Sequence, residues 1–178
     1  MQPAIELLKD LVDTEPSLLA ELADSTAAVK PSPGKWSPKE ELGHLLDSAA
    51  NNHQRIVRTL LEDNPAMPGY EQQRWVQVHI YQQRDWQELI DTWVALNRQL
   101  IGAASSVGDS DWARTCTIAG SEPLTLSFVI EDYVAHMRHH LAHIKESNSK
   151  SQRLTTNDGV QSPPPTRPLH PPSPLAGS

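Results

Sequence analysis

Apolar residues recur every three to four positions in four long stretches of the chain, and no stretch alternates convincingly at period two, so the pattern predicts helix after helix. The first stretch runs from about Pro3 to Ala23, with Leu7, Leu8, Leu11, Leu18, Leu19 and Leu22 apolar; Pro16 is expected to kink or split it. A loop by composition follows at Lys30-Pro31-Ser32-Pro33-Gly34-Lys35. The next helix announces itself: in Trp36-Ser37-Pro38-Lys39-Glu40, Ser37 is placed as N-cap, Pro38 at the first helical position, and Glu40 to close a capping box. It should end near Glu62, ahead of Asn64-Pro65. A loop from Asn64 to Gly69 leads to a short helix within Tyr70 to Tyr81. A third long helix spans about Asp85 to Ala104, with Trp86, Leu89, Ile90, Trp93, Leu96 and Leu100 on its stripe. Residues 105–124 read as irregular, and the last helix covers about Thr125 to Glu146. Four long amphipathic helices with longer connections between them imply an all-α four-helix bundle.

Composition adds a boundary. From Asn148 onward Ser, Pro, Thr and Gly dominate, and seven of the 15 prolines fall between Pro163 and Pro174. Such a segment buries too little apolar surface to offset its ordering entropy, so residues 1–147 are expected to form the bundle and 148–178 a disordered tail. A lone cysteine, Cys116, excludes an internal disulfide and a thiolate cluster, and reads as inert packing. The formal net charge of -7 and the lack of a basic patch argue against a nucleic-acid partner. No secretory leader and no apolar run of bilayer length are recognisable, so a cytoplasmic protein with no membrane association is expected.

The chemistry concentrates in Tyr133-Val134-Ala135-His136-Met137-Arg138-His139-His140-Leu141-Ala142-His143-Ile144, where four of the chain's eight histidines lie. Imidazoles three or four residues apart on a helix are surface neighbours and can grip one divalent ion, but two cannot complete a site. With Leu126, Ile130, Tyr133, Met137, Leu141 and Ile144 as the apolar stripe, His140 falls at its edge, and His136 and His143 lie further round the same side. His139 is the most remote. The helical wheel therefore pairs His140 with either His136 or His143. On the second helix, His53 lies within the apolar stripe of Leu42, Leu46, Ala49, Ile56 and Leu60. His44 lies on the polar side with Glu40, Asp47, Ser48 and Asn51, so periodicity makes it a surface residue unless that side lines a wet cleft.

The stretch Gly34-Lys35-Trp36-Ser37-Pro38-Lys39-Glu40-Glu41-Leu42-Gly43-His44-Leu45-Leu46-Asp47-Ser48 resembles the second-helix opening of the DinB-like (DinB/YfiT) superfamily, and Tyr133 to Ile144 is similar to that family's last-helix signature. The resemblance covers about residues 3–147. It implies a four-helix bundle with a metal held by three histidines, here His44, His136 and His140. Three nitrogens suit zinc or nickel, and three protein ligands leave a position for chemistry. Asp47, three residues after His44, is a candidate to orient a ring from behind. Some members use low-molecular-weight thiols such as bacillithiol or mycothiol. The resemblance thus implies a thiol S-transferase acting on small electrophiles, with a metal-dependent hydrolase or a non-catalytic, stress-associated metal-binding bundle as alternatives. A small-molecule substrate and a possible homodimer complete the expectation.

Overall fold

The structure, a computed structural model, describes residues 3–157. Its four long helices are α1 (Pro3–Ala20), α3 (Pro38–Leu61), α5 (Trp86–Ser105) and α6 (Leu126–Asn157), with short helices α2 (Asp24–Ala27) and α4 (Gln72–His79) in the connections. Helix α3 packs on α5 and α6, and α1 packs on the same two from the other side. The consecutive helices α1 and α3 therefore stand at opposite corners, and the connection through 28–37 carries the chain across the bundle. Trp93, Tyr133, Ile5, Leu8, Leu42, Leu45 and Leu89 fill the centre, each almost completely buried. Tyr133 Oη donates to Asn97 Oδ1 at 2.5 Å, which satisfies a hydroxyl that would otherwise be costly at this depth.

The start of α3 matches its sequence signals. Ser37 Oγ accepts from Glu40 N at 3.3 Å, and Glu40 Oε2 accepts from Ser37 N at 2.9 Å, a complete capping box. Asp85 caps α5 with its side chain alone, Oδ1 accepting from Glu88 N at 2.9 Å. Pro16 lies inside a continuous α1 and does not split it. Buried Val12 and Glu15 before it and Leu19 after it anchor the helix on both sides of the missing backbone donor.

Two departures from the sequence reading stand out. The region read as irregular contains β2 (Thr115–Ile118) and β3 (Leu124–Thr125), which form a small three-stranded sheet with β1 (Ala66–Met67). β1 runs parallel to β2, with Ala66 opposite Thr117, and β2 runs antiparallel to β3, with Cys116 opposite Leu124. Strands of two to four residues are too short to show a period of two. Arg114, just before β2, donates from Nε to Thr59 O at 2.6 Å and from Nη2 to Glu62 O at 2.8 Å, tying the sheet to the last turn of α3. Helix α6, in turn, continues through Asn157, past the expected boundary at 148. No proline or glycine interrupts residues 126–157, so nothing in the backbone stops the helix where the composition changes. The rest of the expected tail, 158–178, lies outside the described residues. Among the described residues no helix is long and apolar enough to cross a membrane.

Candidate metal centre

The site forms where the first three turns of α3 meet the middle of α6. The capping box fixes the first turn of α3, and two lysines pin it. Lys39 Nζ, almost fully buried, lies 2.7 Å from Asp24 Oδ1 and donates to Arg84 O at 2.7 Å. Lys30 Nζ pairs with Glu40 Oε1 at 2.8 Å. The result is a helix buried on every side from Pro38 to Ala49, polar residues included. On α6, Tyr133, Met137, Leu141 and Ile144 enter the core, and that rotation turns His136 and His140 towards α3.

His44, His136 and His140 converge there. The ring centroids of His44 lie 4.9 Å from His136 and 4.6 Å from His140, and those of His136 and His140 are 4.4 Å apart. His44 Nε2 is 3.0 Å from His136 Nε2, and the three candidate donor nitrogens all lie within 4.8 Å of one another. His44 is completely buried, whereas periodicity alone made it a surface residue. The residues around it supply the reason: the 28–37 connection and the segment carrying α4 cover the face of α3 that the pattern leaves polar. Trp36 stands against this cluster, its ring 5.1 Å from His44 and 6.2 Å from His140.

The second ring nitrogens have distinct partners. His140 Nδ1 lies 2.5 Å from Glu41 Oε2, and the Glu41 side chain is only 11% exposed. His136 Nδ1 lies 3.4 Å from Ser48 Oγ. His44 Nδ1 is buried without a partner among the described residues. Burial, reinforced by the neighbouring imidazoles His140 and His136, pushes the His44 pKa down to about 3. Burial and the adjacent His140 and His139 push His136 down to about 4. Three imidazoles crowded around one point are a donor set that a borderline divalent cation fits, and the lowered pKa values of His44 and His136 favour the neutral ring that ligation requires.

The remaining candidates fall elsewhere. His53 is half-buried and outside the cluster, and His139 is exposed. His143 does not join the triad; its Nδ1 lies 3.4 Å from Glu41 Oε1, so Glu41, His140 and His143 form a second, overlapping group. Asp47 does not orient His44. It accepts from Tyr81 Oη at 2.7 Å, lies 3.1 Å from His79 Nδ1, and leaves Oδ2 buried without a partner among the described residues. Burial raises its pKa, opposed by the Tyr81 hydrogen bond and by His79. The acidic partner of the triad is Glu41, which the sequence reading passed over. Its signal was available: it lies three residues before His44, hence on the same helix face, next to a glutamate already committed to the cap. Cys116 sits apart in a small core with Met67 and Val129, as inert packing.

Comparison with known proteins follows the same lines. A model of the DinB superfamily matches residues 13–144. YfiT of Bacillus subtilis, named as a candidate metal-dependent hydrolase, is 27% identical over 150 residues, 80% of this chain and 80% of its own. A Bacillus licheniformis protein with the same descriptive name is 27% identical over 133 residues. A third so named, from Oceanobacillus iheyensis, is 26% identical over 111 residues; the match spans 64% of that relative, under two thirds of its length. The solved structure of the Bacillus subtilis YfiT, described as a candidate metal-dependent hydrolase with an unusual four-helix bundle topology, superposes with a TM-score of 0.75 at 24% identity over 84% of this chain and 86% of that one. That likeness establishes the fold.

Proposed function

The chain belongs to the DinB superfamily, and on that premise we propose that it is a metal-dependent enzyme in which His44, His136 and His140 hold one divalent ion, zinc or nickel by the nitrogen character of the set. The observation that carries this reading is the convergence of three imidazoles from two helices, with His44 Nε2 and His136 Nε2 at 3.0 Å. Three protein ligands, rather than four, are the pattern of a catalytic rather than a structural metal. When bound, the metal supplies Lewis acidity that favours the deprotonated form of water or a thiol at neutral pH.

The protein's own groups prepare that chemistry. Glu41 accepts a proton-bearing Nδ1 of His140, which fixes the ring tautomer and leaves Nε2 as donor. Ser48 holds His136 from behind more weakly. Trp36 stands against His44 and His140 and walls that side of the cluster. The reaction we assign is transfer of a low-molecular-weight thiol, of the bacillithiol or mycothiol type, onto a small electrophile. The names of the relatives favour a second reading, metal-dependent hydrolysis.

Elemental analysis of gently purified protein tests the metal: about one equivalent per chain is expected, lost in His44→Ala. Metal retained in that variant removes His44 from the site. Loaded protein is then assayed with a thiol plus an epoxide or alkyl halide, and separately with esters and amides in water. Thiol-dependent consumption of the electrophile supports transfer. Turnover in water without thiol supports hydrolysis, and silence in both overturns the enzymatic reading.

A further inference from the structure

A polar seam leads away from the histidines along the junction of α3 and α6. On α3, His44, Ser48, Asn52 and Arg55 follow at spacings of four, four and three, and so share one helix face. On α6, His136 stands at the start of the seam, with Asp132 and Tyr133 one turn earlier, because the two helices run in opposite senses. Asn52 Nδ2 donates to Ser48 O at 2.9 Å and lies 3.3 Å from Ser48 Oγ, which in turn lies 3.4 Å from His136 Nδ1. The seam floors a cleft of about 220 Å³ lined by Ser48, Asn52, Arg55, Tyr70, Asp132 and His136, among others.

Arg55 is the charged member of the seam on α3 and has few partners within the fold. Its guanidinium carries five donors in a planar fork. Among the described residues its side chain makes one hydrogen bond, Nη1 to Asn52 Oδ1 at 3.2 Å, and no carboxylate pairs with it. It is half-buried, and burial pulls its pKa down while Tyr70, Cys116 and Asp132 pull it up. Asp132 is exposed at the rim and attracts Arg55 without pairing. A cation held partly out of water on the wall of a cleft, with one hydrogen bond among its five donors, is costly unless an anion completes it.

We propose that Arg55 is a substrate-binding residue that anchors the carboxylate of a small acid lying in this cleft, with the substrate's reactive end towards His136 and the triad. The meaning of that reactive end rests on the metal-enzyme reading above; the anion site at Arg55 does not. A guanidinium fork accepts carboxylate and phosphate alike. Asp132 at the rim and the chain's net charge of -7 oppose a dianion more than a monoanion, which favours carboxylate. The cleft volume lies below the roughly 300–1,000 Å³ of pockets for drug-sized ligands, so the acid is small.

Chelator-treated protein, free of metal, is titrated with propanoate, with its neutral isostere propanamide, and with inorganic phosphate, while the arginine Nε–Hε and backbone amide resonances are followed by NMR, the amides reporting affinity in the variant that lacks the Arg55 signal. The Arg55 resonance is assigned by its loss in Arg55→Gln. A saturable shift with propanoate and none with propanamide is expected, and propanoate affinity should fall by about tenfold or more in Arg55→Gln. Equal response to the amide, or unchanged propanoate affinity in the variant, overturns the proposal. Tighter binding of phosphate than of propanoate overturns the carboxylate assignment. The comparison of acid with amide on the wild-type protein needs no variant, so it stands even if Arg55→Gln fails to fold. Elemental analysis of wild type and variant runs alongside: a chain that binds propanoate at Arg55 but no metal would refute the metal-enzyme reading and leave the anion site intact.

Discussion

Replacing Glu41 with Gln isolates what the carboxylate does for the triad. The glutamate accepts from His140 Nδ1 at 2.5 Å and also reaches His143 Nδ1 at 3.4 Å, in a position where its side chain is 11% exposed. Gln keeps one acceptor oxygen for His140 but removes the negative charge that makes the ring a stronger donor. Partners of this kind contribute about 10–100-fold to metal affinity. At a metal concentration of about a hundred times the wild-type Kd, binding adds about 2.7 kcal/mol to wild-type stability. A tenfold weaker variant retains about 1.4 kcal/mol at that concentration, and a hundredfold weaker one about 0.4 kcal/mol. For a chain of this size each kcal/mol moves Tm by about 2–4 °C, so zinc should raise wild-type Tm by about 5–11 °C and that of Glu41→Gln by about 1–6 °C. Each shift is measured against the same protein without metal, which removes any intrinsic stability difference. A chelator-competition titration gives the affinity ratio directly. A ratio within twofold would refute the role assigned to Glu41.

Three further outcomes follow from the geometry. Ser37→Ala should cost about 1–2 kcal/mol in urea unfolding, since Ser37 Oγ caps α3 and also accepts from Gln82 Nε2 at 2.9 Å; a loss under about 0.5 kcal/mol contradicts the cap. Gly43→Ala should destabilise despite a helix-propensity gain of about 1 kcal/mol, because a Cβ there would stand 2.2 Å from the buried Tyr81 ring, and a variant as stable as wild type would show that the ring is free to withdraw. In metal-free protein, His44 (about 3) and His136 (about 4) bind protons less readily folded than unfolded, where histidine titrates near 6.5. The unfolded chain therefore takes up more protons as pH falls, and stability present above about pH 6.5 should decline between pH 6.5 and 5, above the main carboxylate range. His44→Gln should flatten that slope, and an equal slope in both proteins argues against a neutral buried ring at 44.

The bundle was legible in the chain because helix starts and stripes are local properties. Ser37, Pro38 and Glu40 mark the start of α3 within four residues, and Asp85 does the same for α5, so those boundaries needed no tertiary information. The small sheet was not legible, because its strands of two to four residues are too short to show a pattern, β1 pairs with β2 from about fifty residues away, and Arg114 ties them to the end of α3. The end of α6 was misplaced for a different reason. Serine and asparagine enrichment lowers helix propensity by a few tenths of a kcal/mol per residue without forbidding the helix, whereas proline, at about 3 kcal/mol, is the residue that breaks one.

The triad shows where a helical wheel runs out. A wheel assumes that one side of a helix faces water, and α3 from Pro38 to Ala49 has no such side. On a helix enclosed all round, polarity no longer marks the surface; it marks where other polar groups must meet it, since a buried donor or acceptor needs a partner. His44, Glu41, Ser48 and Asp47 obey that rule through His136, His140 and Tyr81. The two atoms of this set that do not, His44 Nδ1 and Asp47 Oδ2, point to what a sequence-level rule would have to be. A capped helix whose first turns carry two acids, a histidine and a serine at spacings of three and four is a candidate for enclosure, and its polar face then predicts a site rather than a surface. His53 follows the opposite logic. It lies within the apolar stripe, beyond the enclosed turns, where half-burial leaves it access to water and no need of the cluster.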